Sequence, residues 1–167
     1  GMSADKVSTV SDMLVQTQNK GKVTVGELAS SMGKIIPTAN ASNVSLEQLC
    51  AGYAIMTSKG IAAAETTTYM NSMLNELSKS GSTTDKLLRQ KMGGSFAELM
   101  ASGKSLGEIL GGIQEEASKS GLALSDMFSS SEAGKAAMSL LSNGVDGFNS
   151  SGQDMVNSVG ATDSAFA

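Results

Sequence analysis

The sequence predicts an all-α protein: a compact multi-helix bundle of about six to eight short antiparallel helices with Gly-rich turns and no sheet. Apolar residues recur at i, i+3, i+4 and i+7 through most of the chain. Helix starts of the form Ser/Thr–apolar–x–Glu/Gln recur at residues 24, 45, 95 and 105. The residue supply agrees, with 11 Met, 19 Gly, one Pro and only 4% aromatics. A core must then be built from Leu, Ile, Val, Met and Ala.

Taken in order, Val7, Val10 and Leu14 repeat at helical spacing in a segment that ends near Lys20-Gly21. Thr24-Val25-Gly26-Glu27 reads as a capping box, its hydroxyl taking an early N–H while Glu27 reaches back to the cap. Behind it Val25, Leu28, Ala29, Met32, Ile35 and Ile36 form one apolar stripe. Pro37 ends or kinks that helix, because it disfavours the α region for Ile36 and has no N–H to donate. Ser45-Leu46-Glu47-Gln48 repeats the start signal, and Leu46, Leu49, Cys50, Tyr53 and Met56 share a face. Lys59-Gly60 supplies a cation and then a residue free to take φ > 0. The span from Ile61 to Ser80 is the longest candidate, with Met70, Met73, Leu74 and Leu77 in register and Gly81 closing it. Helices over 24–42, 45–59 and 61–80, joined by such short turns, fold back on one another.

Ser82–Gly94 is polar and reads as a loop with two helical turns around Leu87 and Leu88, which marks 82–94 as a candidate internal boundary. Ser95-Phe96-Ala97-Glu98 and Ser105-Leu106-Gly107-Glu108 are two further capping boxes. The second opens an amphipathic helix carrying Leu106, Ile109, Leu110 and Ile113 that ends at Lys119-Ser120-Gly121. A short piece over Leu124–Phe128 and a helix near Glu132–Ser142, stopped by Asn143-Gly144, follow. A last helix carries Phe148, Met155, Val156 and Val159, with a frayed tail over 161–167. Gly1 before Met2 reads as a residue left by removal of a tag, so the domain is expected over 3–160.

The composition excludes several chemistries. The absence of His removes the Ser-His-Asp and Cys-His triads and the HExxH metal helix. One Cys, Cys50, forms neither an internal disulfide nor a zinc site of the usual kind, and its place on an apolar stripe reads as a small buried hydrophobe. A net charge of −4 with few aromatics lacks the basic stripe and stacking platform of a nucleic-acid binder. No apolar run reaches the length of a membrane span. The sequons at Asn40, Asn43 and Asn149 matter only for a secreted chain.

Two serine motifs have plainer readings. Gly103-Lys104-Ser105-Leu106-Gly107 matches a nucleophile elbow but has no strand before it and no His, so Ser105 reads as a helix N-cap. Ser31-Met32-Gly33-Lys34 spells SxxK inside an amphipathic helix. Gly103, Gly107 and Gly111 are spaced as two GxxxG steps with Gly112 adjacent. They favour close intramolecular helix packing, or a helix kept soft for rearrangement, over a partner-binding groove. Glu115-Glu116 reads as a solvated carboxylate pair. The methionines read as core, with an adaptable partner surface as the alternative.

The span Lys22–Gly121 resembles the core region of phage tail tape measure proteins, the minor tail proteins of long-tailed phages and prophages. The resemblance rests on the motif order from Thr24 to Leu77, then Ser95 to Leu110, then Met127-Phe128 with Ser131-Glu132-Ala133. Ser129 stands where the family usually has Gly. The resemblance covers roughly the middle three quarters of the chain. It implies a structural component acting in tail assembly and tail-length determination, with no catalytic, cofactor-binding or metal residues and no cofactor. It also implies a place in the virion tail lumen, with the host cytoplasm during assembly. The partners it implies are tube, tip and tail assembly chaperones, with self-association, but no nucleic acid and no membrane span. As one continuous helix, 167 residues would reach only about 250 Å, so the chain is expected to be an excerpt of a longer ruler. The alternative is a helical interaction module, an adaptor or assembly chaperone with a Met-rich groove. A hydrolase hidden behind Ser31 or Ser105 is the third reading.

Overall fold

The computed structural model describes residues 4–160, so the expectations for residues 1–3 and for the tail over 161–167 lie outside the described residues. Among these there are ten α-helices, one 3-10 turn and no strand. The helices are α1 (Ala4–Lys20), α2 (Val25–Met32), α3 (Ile36–Ala41), α4 (Leu46–Ser58), α5 (Ala63–Ser78), α6 (Thr83–Lys91), α7 (Phe96–Ala101), α8 (Leu106–Lys119), α9 (Ser131–Leu140) and α10 (Gly144–Asn157). The 3-10 turn, Leu124–Met127, joins α8 to α9.

The all-α prediction holds, and the helix count exceeds it for two physical reasons. First, the 24–42 helix is two helices. Gly33, Lys34 and Ile35 form turns after Met32, and Pro37 sits in the first turn of α3, where its missing N–H costs nothing. Second, the two helical turns expected around Leu87 and Leu88 within the 82–94 loop form a helix of nine residues, α6. Ser82 accepts the Asp85 N–H at 3.1 Å, while Gly81 N–H donates to the Asp85 carboxylate at 2.9 Å. Arg89 Nε closes the same carboxylate from one turn later. With Leu88 fully buried against the main core, this polar segment has the anchor its composition concealed.

The axis of the bundle is α4. It packs against α1, α5, α9 and α10, and every residue from Leu49 to Thr57 is buried. Its predicted apolar face is buried from Leu49 to Met56, with Leu46 half-buried at the helix start, and the opposite face is buried too. Small residues make that possible: Ala51, Gly52 and Ala54 let neighbours approach, and a Cβ on Gly52 would meet Met70 Sδ at 2.9 Å. The buried threonines on these helices find partners both within a turn and across helices, while Asn71 Oδ1 on α5 is buried without a hydrogen bond. The Thr57 hydroxyl donates to the Tyr53 carbonyl and accepts the Lys22 N–H, and Thr67 bridges α5 to the Ser31 carbonyl of α2 and the Tyr53 hydroxyl. The Thr66 and Thr68 hydroxyls likewise donate to carbonyls one turn back, which satisfies them within the helix, and burial of Thr66 and Thr67 holds the β-branched run against its neighbours.

Cap geometry splits the four predicted starts. Ser95 and Ser105 form complete capping boxes with Glu98 and Glu108. Thr24 accepts the Glu27 N–H, but Glu27 takes the Thr24 hydroxyl proton rather than the backbone N–H, so the box is half made. Ser45 makes no side-chain cap; its oxygen accepts from Gln48 Nε2, while Gln48 Oε1 accepts the Leu106 N–H from α8. A tertiary contact has taken over a residue whose spacing announced a local one. On α2 the predicted stripe is narrower than written, because Ala29 and Ile36 are exposed while Leu28, Met32 and Ile35 are buried. The glycine stops at Gly60, Gly81, Gly121 and Gly144 all adopt positive φ, as their turns require.

Candidate functional site

The serine motifs resolve into structure. Ser105 Oγ accepts the Glu108 N–H at 3.0 Å and donates to Asn149 Oδ1 of α10 at 2.7 Å, so the hydroxyl caps one helix and ties it to another. Ser31 lies in the last turn of α2, and its carbonyl accepts from Thr67. Lys34 is exposed in the turn beyond. Neither arrangement sets a base against a nucleophile. Glu116 pairs with Lys119 at 3.0 Å and with Lys91 at 3.9 Å, and those cations hold its carboxyl below the usual range.

The glycine ladder is an intramolecular joint. A Cβ on Gly107 would stand 2.9 Å from Phe148 Cδ1, and one on Gly111 would stand 2.5 Å from Val145 Cγ2, both on α10. Gly112 faces Met92, while Gly103, at φ +101°, belongs to the turn before α8. The methionines are mostly core, as expected: Met13, Met32, Met56, Met70, Met73, Met100 and Met155 are buried. Cys50 is buried beside Thr17, and burial pushes its thiol up to about 11 although the Thr17 hydroxyl pulls the other way. Burial likewise pushes the Tyr53 phenol up to about 12, against the opposing Thr67 hydrogen bond.

One feature of the surface was not legible in the sequence. A recess of about 650 Å³ opens between α5, α9 and the segment linking the 3-10 turn to α9. Ile61, Tyr69, Phe128 and Met138 supply its apolar lining, and Glu65 and Lys135 its charge. Lys135 Nζ stands 5.6 Å from the centre of the Tyr69 ring, and Met138 is 44% exposed. The walls are pinned: Ser72 donates to Glu132 at 3.1 Å, and the Glu76 carboxylate accepts the Ser129 N–H. Such a recess accepts an apolar side chain and offers one group of each sign at its edge. The only hint in the sequence was Tyr69, which stands outside the Met70–Met73–Leu74–Leu77 register.

The described residues thus form a bundle of short helices tied together by glycine and hydroxyl contacts, with an apolar recess on its surface. The chain belongs to the phage-related minor tail protein family, whose model matches residues 1–138. It is similar to the probable tape measure protein of Clostridium phage phiCD119 (strain Clostridium difficile/United States/Govind/2006), with 39% identity over 145 residues. That match covers 83% of this chain and 15% of the phage protein, so the chain spans about one seventh of that relative's length. No solved structure matches it. The place where the resemblance predicted a family Gly, Ser129, has no need of one. The flanking Phe128 is extended at φ −109° and buried, and Ser129 is not among the positive-φ residues. No helix among the described residues is long and apolar enough to cross a membrane.

Proposed function

We propose that this chain is the folded core region of a tape measure protein, acting in tail assembly and tail-length determination without catalysis of its own. The observation that carries the reading is the 39% identity, over most of the chain, to a probable tape measure protein of which it covers only a small part. In this reading the region enters the tail lumen of the virion after passing through the host cytoplasm. It meets tube, tip and tail assembly chaperones on the way, and residues 3–160 behave as one helical unit.

The test uses the intact gene. In-frame deletion of residues 61–80 should shorten tails by about 30 Å if the segment is read as ruler, at about 1.5 Å for each lost helical residue. A second variant keeps the length and breaks the fold: Leu74→Asp places a charge at a fully buried core position. Normal tails from Leu74→Asp together with shortened tails from the deletion support a ruler read by length alone. Loss of tails in both assigns a folded docking role, and unchanged tail length in the deletion sinks the ruler role for this segment.

The recess favours a second reading, a helical interaction module that seats an apolar side chain of another tail component between Tyr69 and Met138. Met138→Lys should then block particle assembly while the isolated chain keeps its helical content. Normal assembly with Met138→Lys removes this reading.

A further inference from the structure

We propose that α1 and α10 form an unzipping clasp, so that tension applied to the two ends of this chain strips α10 from the bundle before the packed helices α4, α5 and α9 yield. Their register is antiparallel and is fixed by contacts in sequence. The Gly160 N–H donates to the Asp12 carboxylate at 2.7 Å, and Ser158 Oγ reaches the Asp12 carbonyl at 3.5 Å. Deeper in, Thr17 Oγ1 lies 3.6 Å from Met155 Sδ, and Lys20 pairs with Asp154. The start of α1 and the end of α10 therefore lie at the same end of the pair. Force on both acts across the helix axes and breaks these contacts one after another, whereas force along the axes would load them together.

The sequence of α10 makes it the element that lets go. It holds Gly144, Gly147 and Gly152 with Asn149, Ser150, Ser151, Asp146 and two valines, all weak helix formers. Asn143 gives its N-terminus no side-chain cap. Helical structure there depends on Phe148 and Met155 being buried against α4, α8 and α1. Once detached, α10 has little reason to stay helical, so release and melting are one event. By contrast α4, α5 and α9 carry Ala, Leu, Met, Glu, Gln or Lys at half or more of their positions, all strong helix formers, so they depend less on their neighbours to stay helical. This property belongs to the folded chain whatever its role in the tail.

The experiment is optical-tweezers unfolding of the 167-residue chain with handles at its two termini. A second attachment, at Lys22→Cys and the C-terminus in a Cys50→Ala background, loads α1 against α10 along their axes. The clasp predicts a first rip at less than about half the force needed in the axial geometry. That rip should release about 60 Å, the contour of residues 144–160 at about 3.4 Å each. Equal forces in the two geometries, or a single rip of the whole chain, would overturn it. Native amide exchange on the unmodified chain gives a readout free of handles and substitutions. Amides of α10 should exchange well before those of α4, α5 and α9, and equal protection would also overturn the proposal.

Discussion

Gly107 of α8 lies against the ring of Phe148 of α10, and the bare Cα of the glycine is what allows the two helices to close. A Cβ there would meet Phe148 Cδ1 at 2.9 Å and Asn149 Oδ1 at 3.1 Å. The phenylalanine is fully buried within the core. Gly107→Ala should lower stability by about 1–2 kcal/mol, because overpacking outweighs the gain in helix propensity. Gly26 is the control. It sits in α2 with open space where its Cβ would be, so Gly26→Ala should raise stability by about 0.5 kcal/mol. Urea midpoints of the two variants should move in opposite directions.

The serine caps should rank by their geometry rather than by their motif. Ser95→Ala removes a complete capping box and should cost about 1 kcal/mol. Ser105→Ala removes a box and the bond to Asn149, so its loss should be larger. Ser45→Ala removes no cap and should be the mildest of the three. Equal urea midpoints for Ser45→Ala and Ser95→Ala would contradict this ranking.

Asp85 should make part of the stability acid-sensitive. The Gly81 N–H and then Arg89 hold its carboxyl below the ordinary 3.8. The unfolded chain therefore binds a proton there more readily than the folded one. The stabilisation is present above pH 3.8 and is lost as pH falls through the lower folded value. Asp85→Asn should lower the urea midpoint at neutral pH and converge with the parent as pH falls through the lowered folded value.

Cys50 should resist thiol reagents in the folded state. Its thiol is buried and pushed up to about 11, so at pH 8 it is both shielded and protonated. Labelling by a disulfide reagent should be slow in buffer and complete in denaturant. Fast labelling in buffer would show that the layer formed by α1 over α4 opens readily.

Much of this molecule is legible in its amino-acid sequence. The helical period, the boxes at Ser95 and Ser105 and the glycine stops at Gly60, Gly81, Gly121 and Gly144 were all legible. Each is set by neighbours within one or two turns. The absence of His likewise settled the triad chemistries from composition alone.

What the tertiary structure decided involves partners distant in the chain. Gln48 leaves the local cap pattern because Leu106, 58 residues away, offers an N–H to accept. The 82–94 segment becomes a helix because Leu88 finds the core, although the residues around it are polar. The recess beside Tyr69 exists because α5 and α9 pack together, and the α1–α10 clasp joins residues nearly 150 positions apart. Period and capping report only short-range order, whereas burial depends on which faces the fold brings together. The sequence by itself determined the helices, most of their ends and the chemistry the chain lacks. Tertiary packing alone decided which helix became the buried axis and where the apolar recess opened.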